Sequence, residues 1–199
     1  MTTLPLTPEN AGAVVATAAG VLAAGGVAVI PTDTVYGLAA HPGQPDAVAR
    51  LAAIKRRPDT SRPIALLASD LEAVRRFGAT LSPVAERLAA AFWPGPLTMV
   101  VDCGGTAEGF RVPAHAWTRQ LLAACGGTLR VTSANLSGGE PAASAVAARR
   151  DVGRGTDLVV DDGPSPGGVP STVVRVSGPH VEVLRAGAIA PERLADVTM

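Results

Sequence analysis

The chain is poor in aromatic side chains, in cysteine and in net charge. Aromatics make up 3% of its 199 residues, so the stacking platforms that single-stranded nucleic-acid binders use are scarce, and Ala, Val and Leu must fill the core. Cys103 and Cys125 are the only cysteines. They match no C-x-x-C or Cys/His metal spacing and are too few for a disulfide framework, which leaves a reducing cytoplasm as the expected compartment. Lys plus Arg equals Asp plus Glu at 17 each, so the molecule as a whole offers no attraction to a polyanion and any nucleic-acid contact must be local. Also absent are G-x-x-x-x-G-K-S/T, G-x-G-x-x-G and H-E-x-x-H, so the standard nucleotide and metalloprotease readings have no local support. Residues 10 to 32 carry no charge, a length that meets the threshold for a bilayer span. They are mostly Ala and Gly, are interrupted by Gly25-Gly26 and lack flanking Lys or Arg, so neither a membrane helix nor a secretory signal is expected.

What is present is a hydrophobic content of 47% with 22 Gly and 17 Pro, enough to bury a sizeable core between many tight turns. One domain over residues 1 to 199 is expected. The spacing predicts a helix with Thr7 as N-cap and Pro8 at its first position, running to about Ala24, then a Gly-Gly stop and a buried strand over 27 to 30. Further helices are predicted at 46 to 56, 70 to 77, 82 to 92, 116 to 124 and 143 to 150. Strands are predicted at 64 to 68, 97 to 102, 109 to 112, 128 to 132, 157 to 161, 171 to 176 and 180 to 185. The last two, joined across Ser177-Gly178-Pro179-His180, read as a hairpin, so the sheet is mixed.

Chemistry concentrates in a few places. Pro31-Thr32-Asp33-Thr34-Val35-Tyr36-Gly37 follows the strand 27 to 30, and the ends of strands in α/β proteins are common binding sites. Thr32, Asp33, Thr34 and Tyr36 there offer donors and acceptors for a small polar ligand, though an ordinary capped turn reads equally well. Lys55, Arg56, Arg57 and Arg62 place four of the 17 basic residues within eight positions. Lys55 continues the apolar stripe of Val48, Leu51 and Ala52 at i+7, and Pro58 biases Arg57 out of helical dihedrals, so Lys55 and Arg57 are free to converge on one anion. Cations complementing a helix C-terminus account for Lys55 and Arg56 as well. Ser133 and Asn135 sit two apart in a hydroxyl-, amide- and glycine-rich loop through Gly138, placed to meet phosphate oxygens or simply to turn the chain. Arg111 at a strand end, His115 at a helix start, Ser171 and Arg185 complete the set.

Taken in order, these segments resemble the YrdC-like threonylcarbamoyl-AMP synthases. The matching residues are Pro31 to Leu38, Lys55-x-Arg57-Pro58 with Pro63, Trp93-Pro94-Gly95-Pro96-Leu97-Thr98, Arg111-x-Pro113-x-His115, Ser133-x-Asn135-Leu136-Ser137-Gly138 and Ser171-Thr172-Val173, across about residues 12 to 187. Departures are Ala39 where Gly is usual, Arg62 where Lys or Asn commonly precedes the Pro, and a loop lengthened by Gly139-Glu140. The match is to the short form without an extra C-terminal domain.

The resemblance implies a single-domain YrdC/RibB-like α/β fold, a mixed twisted sheet flanked by helices. It implies ATP-dependent condensation of L-threonine with bicarbonate or CO2 to threonylcarbamoyl-AMP and pyrophosphate. A downstream transferase then uses the adenylate to modify N6 of adenosine in tRNA. Carried over residue by residue, Lys55, Arg57, Ser133 and Asn135 are the catalytic set. ATP falls to these with Arg62 and Arg185, and threonine to Thr34, Tyr36, Arg111 and Ser171. Mg2+ accompanies ATP without dedicated protein ligands, since no acidic cluster is visible in the sequence. Two rivals are an RNA-binding, ribosome-maturation module of the same fold and a carbamoyl-transfer enzyme using carbamoyl phosphate. The first sits badly with zero net charge and few aromatics, and the second occurs in much longer chains.

Overall fold

In the computed structural model, residues 1–56 and 63–198 are described. Among them, eleven strands join one mixed sheet in the order β1-β9-β2-β3-β8-β4-β7-β6-β10-β11, with β5 beside β6. The strands are β1 (Thr2–Pro5), β2 (Ala28–Ile30), β3 (Gly37–Ala40), β4 (Leu66–Ala68), β5 (Ala79–Thr80), β6 (Leu97–Cys103), β7 (Thr106–Arg111), β8 (Thr128–Ser133), β9 (Leu158–Asp161), β10 (Thr172–Ser177) and β11 (His180–Arg185). The helices are α1 (Ala11–Ala23), α2 (Pro45–Ile54), α3 (Leu71–Arg76), α4 (Pro83–Phe92), α5 (Ala116–Ala124), α6 (Ala145–Val152) and α7 (Pro191–Thr198). Strands β10 and β11 form the expected antiparallel hairpin, and β10 pairs in parallel with β6.

The period-2 pattern of the strands explains the layers. On one half of the sheet both faces are covered. Ala28 and Ile30 of β2 pack with Val14, Ala18 and Leu22 of α1 and with Leu121 and Leu122 of α5. Val29, one residue out of phase, packs on the opposite side with Ala47 and Leu51 of α2 and Ala148 of α6. On the other half, Leu97, Met99 and Val101 of β6, Phe110 of β7 and Val174 of β10 pack against α3 and α4. Each fully buried large side chain there contributes about 1.5–3 kcal/mol. Their alternating neighbours Thr98, Val100, Gly109, Arg111 and Val173 line a cleft instead.

Helix starts follow the capping chemistry: Asp70, Ser82, His115 and Ser144 each accept from the backbone N–H three residues on. Thr7 does not cap α1. Asn10 accepts from Thr7 N and donates through Nδ2 to Pro5 O, both at 2.9 Å, which gathers residues 7 to 10 into a turn and delays the helix to Ala11. The strand expected over 109 to 112 starts at Thr106 because Gly104 and Gly105, both at positive φ, close a tight hairpin with β6. Strands β1, β3 and β5 and helix α7 carry no counterpart in the sequence reading. Among the described residues no helix is long and apolar enough to cross a membrane.

Candidate functional site

The cleft, about 660 Å³, is built where β2, β7 and β8 end. The turn after β2 supplies Thr32 and Thr34, β7 ends on Arg111, β8 ends on Ser133 and leads to Asn135, and α2 delivers Lys55. Ser171 before β10 and Arg185 at the end of β11 close the far side.

Arg111 organises the threonine-rich wall. It is buried, with side-chain exposure of 7% against 12% for Asp33. Its Nε donates to Gly95 O at 3.0 Å, Nη1 to Thr34 Oγ1 at 2.8 Å and Nη2 to Asp33 Oδ1 at 2.5 Å. Burial pulls the Arg111 pKa down, Asp33 opposes that through charge and hydrogen bond, and nearby Arg185 adds to the lowering. The carboxylate thus holds a buried guanidinium in place by a paired, charge-assisted contact. Arg185 Nη2 donates to Ser171 O at 2.8 Å and Ser171 Oγ at 3.2 Å, while Ser171 Oγ lies 2.9 Å from Thr98 Oγ1. Burial likewise lowers the Arg185 pKa.

On the opposite wall Lys55 is buried, as its place on the apolar stripe predicts. Its Nζ donates to Ser133 O at 2.5 Å and Asn135 O at 2.6 Å, and Ser137 N returns a bond to Lys55 O at 3.0 Å. The chain leaves α2 through Arg56 at φ 51, a left-handed residue that turns it sharply. Asn135 spends its amide within its own loop, Nδ2 donating to Leu136 O at 2.9 Å and Gly139 O at 2.7 Å. This loop therefore presents the Ser133 hydroxyl and backbone groups to the cleft more than the Asn135 side chain.

Tyr36 stacks its ring into the core while its hydroxyl donates to Gly163 O at 2.6 Å and accepts from Asp162 N at 3.0 Å. Burial pushes its pKa up to about 12. His115 stands outside the cleft: its Nδ1 accepts from Thr118 N and its Nε2 pairs with Asp162 Oδ2 at 3.0 Å. Arg57 and Arg62 lie outside the described residues. The structure thus gathers Thr34, Tyr36, Lys55, Arg111, Ser133, Asn135, Ser171 and Arg185 around one cleft. Three contributors went unassigned in the sequence: Asp33 as the partner of Arg111, the Gly95 carbonyl, and Thr98. Gly95 and Thr98 lie in the Trp93-to-Thr98 motif, so the signal was there without a role attached. Among the described residues no cluster of three or more His, Cys, Asp or Glu is arranged to hold a metal.

The sequence profile of the Sua5/YciO/YrdC family, described as telomere recombination, matches residues 20–187. A threonylcarbamoyl-AMP synthase of Halorhodospira halophila is 39% identical over 153 residues, 72% of this chain and 80% of that protein. The corresponding enzyme of Bacillus subtilis is 30% identical over 194 residues, 92% of this chain and 56% of its own length. The crystal structure of P. abyssi Sua5 complexed with L-threonine superposes with a TM-score of 0.89 at 29% identity, covering 98% of this chain and 59% of that one.

Proposed function

Because the chain belongs to the Sua5/YciO/YrdC family, we propose that it is a threonylcarbamoyl-AMP synthase, joining L-threonine, bicarbonate or CO2 and ATP to give threonylcarbamoyl-AMP and pyrophosphate, with one water released where bicarbonate is the carbon source. The observation that carries this reading is the opposition, across one cleft, of a buried guanidinium with small hydroxyls and a buried lysine tied to a glycine-rich loop. Arg111 has N–H groups left after its three contacts, and the planar fork suits an amino-acid carboxylate. Thr34 and Ser171 stand beside it for the rest of the threonine. Lys55, Ser133 and Arg185, with Arg57 and Arg62 of the same basic cluster in the sequence, serve the adenylate and triphosphate.

The chemistry suits such a site. The threonine amine adds to CO2 to form a carbamate, and a carbamate oxygen then displaces pyrophosphate from the α-phosphorus. Both steps need positioning and charge stabilisation without a covalent nucleophile. Asp33 is committed to Arg111 and no Asp or Glu is among the described cleft-lining residues, so Mg2+ would enter with the triphosphate as its counter-ion and would keep mostly water and phosphate ligands. The product serves a downstream transferase that acts on tRNA. Pyrophosphate release measured with each substrate omitted tests the reading: it should require threonine, bicarbonate and ATP together, and release independent of threonine would refute it.

A further inference from the structure

Four groups beneath the cleft wall form a hydrogen-bond chain whose direction follows from their chemistry. The Val35 carbonyl accepts only, so the single proton of Thr32 Oγ1, 2.7 Å away, is donated to it. Thr34 Oγ1 lies 3.0 Å from Thr32 Oγ1. With the Thr32 proton committed, the proton in that contact is the one on Thr34. From the other side Arg111 Nη1, which can only donate, reaches Thr34 Oγ1 at 2.8 Å. The chain therefore runs one way, from Arg111 to Thr34 to Thr32 to Val35. The backbone N–H groups of Thr34 and Val35 reach Thr32 Oγ1 at 3.2 and 3.3 Å, two long contacts that share one of its two lone pairs and leave the other for the Thr34 hydroxyl. Thr32 and Thr34 are buried, at 3% and 2% exposure, so bulk water does not compete for these contacts.

We propose that Thr32 is a positioning residue that fixes the polarity of the Thr34 hydroxyl, leaving Thr34 Oγ1 able only to accept from a ligand. The Thr34 proton is spent inward and one lone pair is taken by Arg111, so a single lone pair remains for the cleft. That lone pair accepts an N–H of the amino-acid substrate, from the amine before attack on CO2 and from the carbamate N–H after it. It repels a carboxylate oxygen, which is steered instead to the unused N–H groups of Arg111. The substrate then enters with its carboxylate on the guanidinium and its nitrogen on Thr34, an orientation set by a residue whose own hydroxyl is consumed below the surface. The inference rests on the synthase reading and adds the means by which its amino-acid site tells donor from acceptor.

The experiment compares the full-length wild type with Thr32→Val and Thr32→Ser, varying threonine and ATP separately while following pyrophosphate release. Valine nearly keeps the volume and abolishes the chain, and serine restores the hydroxyl. Thr32→Val should raise the threonine KM by about tenfold, the equivalent of one hydrogen bond's orientation, with the ATP KM unchanged and the Tm lowered by the loss of the buried bonds to the Val35 carbonyl and the two backbone N–H groups. Thr32→Ser should stay within about twofold of wild type on the same scale. Should the valine variant not fold, Thr32→Cys, whose thiol is a weak donor and acceptor, should show the same selective rise in smaller measure. An active wild type whose threonine KM is untouched by these variants overturns the inference. So does a change that falls equally on both substrates, which marks packing alone. A folded wild type with no threonine-dependent turnover removes the synthase reading, and this inference with it.

Discussion

Replacing Arg111 by Met separates what the residue does for the fold from what it does for the substrate. The guanidinium carries three bonds, to Gly95 O, Thr34 Oγ1 and Asp33 Oδ1, and its pair with Asp33 is nearly closed to solvent. Removing it leaves a buried carboxylate without its cation, and breaking such a pair costs about 3–5 kcal/mol. In urea the midpoint should fall with little change in slope, because the surface exposed on unfolding is unaltered. Adding Asp33→Leu to Arg111→Met removes the orphaned charge and should return most of the lost stability. It should return none of the threonine-dependent pyrophosphate release, since the carboxylate-binding fork is still gone. A single variant as stable as wild type would show that the pair does not bear on folding. A double variant that regained threonine turnover would refute Arg111 as the substrate's anchor.

Three further outcomes are expected. Asn135→Ala should lose about 1–3 kcal/mol in thermal or urea unfolding, from two hydrogen bonds to Leu136 O and Gly139 O; unchanged stability with lost nucleotide affinity would mean that the amide addresses the ligand directly. Lys55→Ala should lower turnover by about 10²–10³ if its ammonium and the loop it clamps stabilise developing charge, and near-normal turnover by the folded variant would dismiss it. Tyr36 is the single tyrosine of the chain, so phenolate absorbance reports it alone. Its pKa is raised to about 12 from an ordinary 10.0, meaning that the folded state holds this proton more tightly than the unfolded. That stabilisation is complete below pH 10 and is lost as pH rises towards 12. Titration at the ordinary value in the folded protein would contradict the burial of its hydroxyl, and Tyr36→Phe should flatten this part of the alkaline decline in stability.

Much of this was legible in the sequence because the signals were local. The run Val27 to Ile30, the helix over 116 to 124 and the hairpin after Thr172 announce themselves by period and turn chemistry, and Lys55 betrayed its burial by falling on an apolar stripe. What escaped depended on distant neighbours. Strand β3 reads as more turn after Tyr36, since Gly37-Leu38-Ala39-Ala40 is short and small. It becomes a strand because β2 and β8 flank it so closely that a Cβ on Gly37 would meet Val131 Cγ1 at 2.6 Å. The ion pair of Asp33 with Arg111 joins residues 78 apart in sequence, and no spacing rule connects them. Asn135 lines the cleft as its place in the sequence suggests, while the bonds of its Nδ2 to Leu136 O and Gly139 O are visible only once the loop is folded.

The most direct test of the central claim is to supply the purified protein with 13C-bicarbonate, L-threonine, ATP and Mg2+ and to weigh the nucleotide product. The account predicts a threonylcarbamoyl adenylate carrying one labelled carbon, formed with one pyrophosphate and absent when threonine is left out. A folded protein that yields no labelled adenylate, or that cleaves ATP without incorporating the label, would contradict it.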